Sequence, residues 1–396
     1  MPILIILMWA GMLWSRAMLS IGMIGFFLIA IVFHFQEGWR TIRRSIWLQG
    51  LLLLFVIPLV TVFWSEDYTQ WIRSVQVKMP LLLMPFGIPL FRVMDKRTKQ
   101  FLLVLLCGFI LASSLYSYWF YFSTPGMNEA YLKAKVLPVA MSNDHVRYAW
   151  LLVIGYSWLL YEVVIGNMNR TMRIAGYAFL LYLAIFIHVL AAKTGLLGFY
   201  LVTLIAIFSM VPPRAKALSI LAFAAIPLLA WVLLPSFQNR LKFVVWDFQN
   251  YSRGDYVEGL SDGPRVLSYK AGQSILEQHL FAGVGSGDVQ KETWNWYDSN
   301  AVFLKDYERL LPSNEVLMYG CAGGLTAALA CLLVLIIPFF MNGFRGKMLW
   351  LSFHLVAFAG FMYEIGLEVQ HGVFLFCFFS CFFYSLLSPG SEAEAV

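Results

Sequence analysis

Long apolar runs broken by short polar turns recur along the whole chain, as in LLLLFVIPLVTVFW (51–64) and AFLLYLAIFIHVLAA (178–192). A helix needs about 20 mostly apolar residues to cross a hydrocarbon core of about 30 Å. Twelve windows are candidates: 2–14, 17–34, 46–64, 76–91, 100–122, 147–165, 174–191, 194–211, 217–234, 314–341, 348–365 and 371–388. The pattern predicts an all-α polytopic membrane protein of about twelve transmembrane helices. The first run, Pro2 to Trp14, has no basic residue before it and Arg16 after it. It reads as a short, tilted first span and not as a cleavable signal peptide.

Two intervals interrupt this rhythm, a short one at 123–146 and a long one at 235–313. The expected organisation is therefore helices one to nine over 1–234, a polar loop domain over 235–313, and the last three helices with a tail over 314–396. Structureless loops of such length are uncommon and usually carry function. Inside this loop, residues 264–281 are predicted to be helical. Pro264 suits a first turn, with Ser261, Asp262 and Gly263 before it. Val266, Leu267, Ala271, Ile275, Leu276 and Leu280 recur at helical steps and give one apolar face.

AGVGSGD (282–288) ends that helix, and its alternating glycines invite a nucleotide-binding reading. A dinucleotide loop needs a strand before it and a helix after it. Here the helix comes first and no G-K-[ST] follows, so the reading fails.

Composition supports the membrane class: 60% of the 396 residues are hydrophobic, 17% aromatic and 13% charged. Soluble domains carry about a quarter charged residues. The charges also set orientation. Arg40, Arg43 and Arg44; Arg92, Lys96, Arg97 and Lys99; Arg170 and Arg173; Arg214 and Lys216; and Arg345 and Lys347 fall in alternate loops. The positive-inside rule makes those loops and both termini cytoplasmic, leaving a large, partly helical loop on the outer side. The net charge of +6 is thus mainly a topology signal, and no basic patch points to nucleic acid. All five cysteines (Cys107, Cys321, Cys331, Cys377 and Cys381) sit in apolar segments, so the loop holds its shape without disulfides. Cys377 and Cys381 share a helical face, but no histidine or acid lies within a turn of both. Packing accounts for them better than a metal does. No metal or cofactor is expected.

The candidate chemistry gathers on the outer side. A helix start at Pro264 with Arg265 beside it offers amides and a guanidinium to an anion, while a solvated or salt-bridged Arg265 is the plainer alternative. SNDHVRYAW (142–150) brings Asp144, His145 and Arg147 to the membrane edge. His145 suits a general base oriented by an acid, or belongs to an interfacial cluster with Tyr148 and Trp150. Lys193, in AAKTGLLG, either snorkels to the interface or presents a cation to a lipid phosphate. His371, near Glu364 and Glu368, is a weaker candidate. His34, His188 and His354 lie in apolar helices without evident partners, and His279 is placed to cap the loop helix.

Four stretches resemble the bacterial O-antigen ligase and O-antigen polymerase superfamily. WSEDYTQWIRSVQVKMPLLLMPFGI (64–88) is similar to its outer loop and proline-bearing span, and AAKTGLLGFYLV (191–202) to its S-R-x-G turn. PRVLSYKAGQSILEQHLFAGVGSGD (264–288) resembles its arginine-led helix, and LPSNEVLMYGCAGGL (311–325) its H-N-x-x-L entry to the next span. The resemblance implies metal-independent glycosyl transfer at the periplasmic face of the inner membrane. The donor it implies is an undecaprenyl-diphosphate-linked glycan, and the acceptor a hydroxyl on a lipid, such as lipid A core, or on a saccharide. Arg265 falls at the family's loop arginine and takes the diphosphate role. Lys193 stands where the family has arginine, keeping the charge without the bidentate fork. Lys193 and Arg147 are its expected companions at the diphosphate. Ser313 stands at the family's histidine, so His145 or an acid such as Glu315 is expected to act as base. A polyprenyl-glycan transporter and an inactive scaffold are the competing classes. Transporters bury ionisable groups at mid-membrane, whereas these windows are nearly free of charge.

Overall fold

The computed structural model describes residues 1–133, 137–166, 168–253, 257–344 and 347–388. Arg345, one of the loop cations above, and the tail from 389 lie outside the described residues. In chain order the helices are α1 (Pro2–Trp14), α2 (Arg16–Arg43), α3 (Ile46–Val60), α4 (Tyr68–Phe86), α5 (Ile88–Arg92), α6 (Lys96–Ser123), α7 (Met127–Ala130) and α8 (His145–Val164). There follow α9 (Arg170–Leu190), α10 (Lys193–Met210), α11 (Pro213–Leu233), α12 (Pro235–Arg253), α13 (Asp262–Gln278), α14 (Val289–Asn300), α15 (Glu315–Ile336), α16 (Met348–Phe361) and α17 (Gln370–Leu387). No strand occurs among the described residues, and the chain is an all-α polytopic membrane protein.

Among the described residues, eight helices are long and apolar enough to cross a membrane: α2, α3 with its 3-10 extension, α6, α9, α10, α11, α15 and α17. The other four of the twelve expected windows also fall on helices. Of these, α1 and α16 are apolar but only 13 and 14 residues long. By contrast α4 and α8 are long enough, but carry Arg73 and Lys78, and Arg147 and Glu162, respectively.

Many helix starts are written locally. Asp95 accepts from the Thr98 amide at 3.1 Å, Asn169 from Met172 at 2.8 Å and Asn314 from Leu317 at 3.0 Å. Each such cap stabilises its helix by about 1 kcal/mol. The window expected to end at residue 34 instead continues to Arg43, across a kink at His34.

Position in the bundle follows from what surrounds each helix. Buried residues make up 83% of the apolar window of α17, against 6% for α11. The first is therefore the central helix, and the second presents most of its apolar surface to lipid. Phe378 on α17 meets Trp9 and Phe91 edge-on at 5.8 and 5.4 Å, the geometry that aromatic quadrupoles favour.

The polar insertion is helical in three places, α12, α13 and α14. The helix expected over 264–281 runs Asp262–Gln278, so Leu280 lies beyond its end and is exposed. Its buried face, around Ala271 and Ile275, packs on Met318, Cys321 and Ala322 of α15. The Cys321 thiol also donates to the Gly272 carbonyl at 3.3 Å.

AGVGSGD follows the helix, as expected, and forms a backbone clamp. Within α15 the backbone leaves helical geometry at Gly323 and Gly324. The hydrogen bonds lost there are replaced from the insertion: Val284 N–H to Cys321 O at 2.8 Å, Gly285 N–H to Ala322 O at 3.0 Å, and Leu325 N–H to Leu280 O at 2.8 Å. Glycine is required by the closeness of the two backbones. A Cβ on Gly283 would sit 2.5 Å from Ala322 C, and one on Gly324 would sit 2.4 Å from Phe281 O, both at positive φ. Beyond the clamp, Ser286 and Thr61 share a hydrogen bond of 2.7 Å, and the Asp288 carboxylate accepts from the amides of Glu66 and Asp67 at 2.6 and 3.2 Å.

Candidate active site

The first turns of α8, α10 and α13 and the turn after α16 converge against α12, enclosing a cavity of about 270 Å³. Its lining changes character along each helix. On α10, Lys193 opens the helix, and Leu197 and Leu201 follow on successive turns. On α8, Arg147 is followed by Trp150, and α16 adds Val356 and Phe361 before Tyr363 and Glu364 in the turn beyond it. The polar groups thus collect at the helix ends beside the insertion, while the apolar walls run into the spanning helices.

An ion-pair network ties these ends together. Lys193 Nζ donates to both carboxylate oxygens of Asp262 at 2.7 Å, and the Tyr363 hydroxyl donates to the same carboxylate at 2.7 Å. Arg265 donates to Tyr363 Oη at 3.0 Å and to the Ser261 carbonyl at 3.2 Å, and it pairs with Glu364. Its guanidinium also stacks over the Tyr363 ring, 4.2 Å from the centroid. Burial pulls Asp262 toward its neutral form, but the hydrogen bonds from Lys193 and Tyr363 outweigh it and its pKa is lowered. Burial likewise opposes the charge on Arg265, yet Glu364, Tyr363 and Asp262 together raise its pKa. Both groups are held charged by their partners.

The free amides expected at the loop helix are already engaged. Asp247, fully buried on α12, accepts from the Ser261 and Asp262 amides at 3.0 Å each. The positive end of α13 is therefore occupied by a carboxylate of the chain itself. Burial raises the pKa of Asp247 despite those amides.

Of the residues expected from sequence, the structure brings Lys193 and Arg147 into the cavity lining and sets Arg265 directly behind it, on Asp262, Tyr363 and Glu364. Lys193 does not snorkel outward, because Asp262 holds it. Arg147 donates to the Ile365 carbonyl at 2.8 Å and lies 3.6 Å from Asp144. His145 is half-buried one residue before the lining residue Val146, and burial lowers its pKa, so the ring is neutral at pH 7. Met141, Ser142 and Asn143 lead into this corner with three successive left-handed backbones, φ 63°, 58° and 62°. Such strain costs about 1 kcal/mol or more per residue and concentrates at functional sites.

Glu315 is not brought to the cavity. It is fully buried at the start of α15, where it accepts from the Leu367 amide at 2.9 Å. Lys78 and Glu368 pair nearby, so the described residues of the bundle include a buried ionisable cluster that the apolar windows did not announce. Ser313 donates its hydroxyl to Leu311 O at 3.2 Å, and its amide donates to Ser268 Oγ at 3.1 Å. It serves as a link to α13. The acids that do line the cavity are Asp262 and Glu364. Sequence reasoning met Asp262 only as a neighbour of Pro264 and Glu364 only as a neighbour of His371, gave neither a role of its own, and passed over Tyr363. The available signal was position: all three fall at helix ends on the side of the insertion.

Residues 178–332 match a family model described as O-Antigen ligase. The match contains Lys193, Asp262 and Arg265, while α8 and α16, which complete the cavity, lie outside it. No curated protein matches the chain. Through this segment, less than half of its length, the chain is similar to the O-antigen ligase family.

Proposed function

We propose that the protein transfers a glycan from undecaprenyl diphosphate to a hydroxyl on a lipid, such as lipid A core, or on a saccharide, acting at the periplasmic face of the bacterial inner membrane. The observation that carries this reading is the two-natured cavity. Apolar walls on three membrane helices suit a polyprenyl chain, and the cations at the helix ends suit the phosphates that follow it. Lys193 and Arg265 supply the positive charge that a departing diphosphate requires.

In this scheme the acceptor oxygen attacks the anomeric carbon of the donor sugar. The bond from that carbon to the phosphate oxygen breaks, and the electron pair leaves with the diphosphate. The hydroxyl proton goes to Glu364. At rest, Arg265 pairs with that carboxylate. When the guanidinium turns to the incoming diphosphate, Glu364 is left with lone pairs free to accept a proton. Anion binding and release of the base are then one event.

Replacing Arg265 with alanine is expected to lower glycan transfer by about 10²–10³, as for loss of a charge-stabilising donor, with normal levels in the membrane. Unchanged transfer by R265A would overturn the diphosphate assignment. The orientation rests on the basic loops. A cysteine at the exposed Val302 should react with impermeant reagent from the periplasm; labelling only from the cytoplasm would reverse the topology.

A further inference from the structure

The cations of this site are not equivalent. Lys193 is held by Asp262, Arg265 by Glu364, and Arg147 by Asp144 and the Ile365 carbonyl. Arg240, on α12, differs from all three. It is 7% exposed, and its Nε and Nη1 are buried without a hydrogen-bond partner among the described residues. No carboxylate forms an ion pair with it there; the guanidinium carbon stands over the Phe243 ring, 5.1 Å from its centroid.

A buried cation with unmet donors is costly, and arginine cannot escape by losing its proton. Burial does lower its pKa, while Asp262, Tyr363 and Asp247 act on its charge from a greater distance. Two of these, Asp262 and Tyr363, line the cavity, as does Val244, one turn beyond Arg240 on the same face of α12. Arg240 is not itself a lining residue; it lies behind the wall that Val244, Asp262 and Tyr363 form, within electrostatic reach of the last two.

We propose that Arg240 is a specificity-determining residue that receives the second phosphate of a polyprenyl diphosphate and sets the preference for diphosphate over monophosphate. An anion that engages Lys193 or Arg265 must displace a carboxylate, which diminishes the gain. One that engages Arg240 displaces no acid and satisfies two orphaned donors. A single phosphate placed at Lys193 and Arg265 leaves Arg240 unmet, and a second phosphate meets it.

This role rests on the lipid-diphosphate reading, and the test separates the two. Full-length protein in nanodiscs is titrated calorimetrically with farnesyl diphosphate, farnesyl monophosphate and inorganic pyrophosphate. The wild type should prefer farnesyl diphosphate to the monophosphate by at least roughly tenfold, the worth of a charge-assisted hydrogen bond. R240M should weaken diphosphate binding by about 10–100-fold. Binding of the monophosphate should change less than about threefold. R240K, which keeps the charge, should recover part of the preference, and it decides the matter if R240M fails to accumulate. Unaltered preference in these variants, or equal loss of both lipids, would overturn the role of Arg240. Wild-type protein that binds neither lipid would refute the lipid-diphosphate reading and this role with it. Pyrophosphate binding as tightly as the farnesyl ester would overturn the assignment to a lipid.

Discussion

Substituting Glu364 with glutamine should move binding and catalysis in opposite directions. The side chains of Arg265 and Glu364 are only 14% and 16% exposed, so solvent screens their attraction little. Glutamine keeps the shape and one acceptor but turns a charge-assisted hydrogen bond into an ordinary one, a loss of about 1–2 kcal/mol. The guanidinium would remain in place through Tyr363 Oη at 3.0 Å, the Ser261 carbonyl at 3.2 Å and the stack on the Tyr363 ring. The pair with Glu364 must be given up when Arg265 turns to a diphosphate. E364Q should therefore bind farnesyl diphosphate roughly 5–30-fold more tightly than the wild type. Glycan transfer should fall by about 10²–10⁴, because the amide cannot take the hydroxyl proton. The assay is calorimetric titration in nanodiscs alongside single-turnover transfer from a lipid-linked glycan. H145Q is the control and should keep most of the transfer, since in the proposed scheme the hydroxyl proton goes to Glu364. Transfer by E364Q within about threefold of wild type would remove Glu364 as the base. Weaker diphosphate binding would show that the resting ion pair does not compete with substrate.

Two further substitutions test the scaffold. D247A strips a buried acceptor from the Ser261 and Asp262 amides and should lower stability by about 1–3 kcal/mol, read as a fall in thermal midpoint; an unchanged midpoint would mean that the cap contributes nothing. G324A places a Cβ 2.4 Å from Phe281 O at φ 76° and should cost more than about 2 kcal/mol or abolish folding. G108A, inside α6 with nothing within 4 Å, should be neutral or stabilising by up to about 1 kcal/mol. Equal folded yields for these two glycine variants would argue against the clamp.

The spans were legible because burial in lipid demands uninterrupted apolar sequence, and each of the twelve windows lies on a helix. The loop helix was legible through its periodicity, to within three residues at either end. The site was legible only in part. Arg265 and Lys193 stood out as cations at marked positions, but their roles depend on which acids they meet, and those acids come from elsewhere in the chain. Glu364 lies 99 residues from Arg265, and Asp262 lies 69 from Lys193. No local pattern couples positions so far apart. Arg240 was hidden for the opposite reason. It sits in a helix with ordinary polar composition, and its distinction, two buried nitrogens unpaired among the described residues, exists only in three dimensions. The clamp role of the glycines was not legible, because letters record what a backbone can do and not what approaches it.

The clamp also dictates an order of events during synthesis. The turn from Thr61 to Asp67 leaves the ribosome 225 residues ahead of Ser286, an interval of roughly 10–45 s at ordinary elongation rates. Throughout that time the amides of Glu66 and Asp67 await the Asp288 carboxylate that will cap them. The first four helices must therefore wait in the membrane with one end unfinished. A chimera that borrows the insertion from a protein of the O-antigen ligase family has to borrow the counterpart of residues 61–67 with it, or the two pieces will meet without recognising each other.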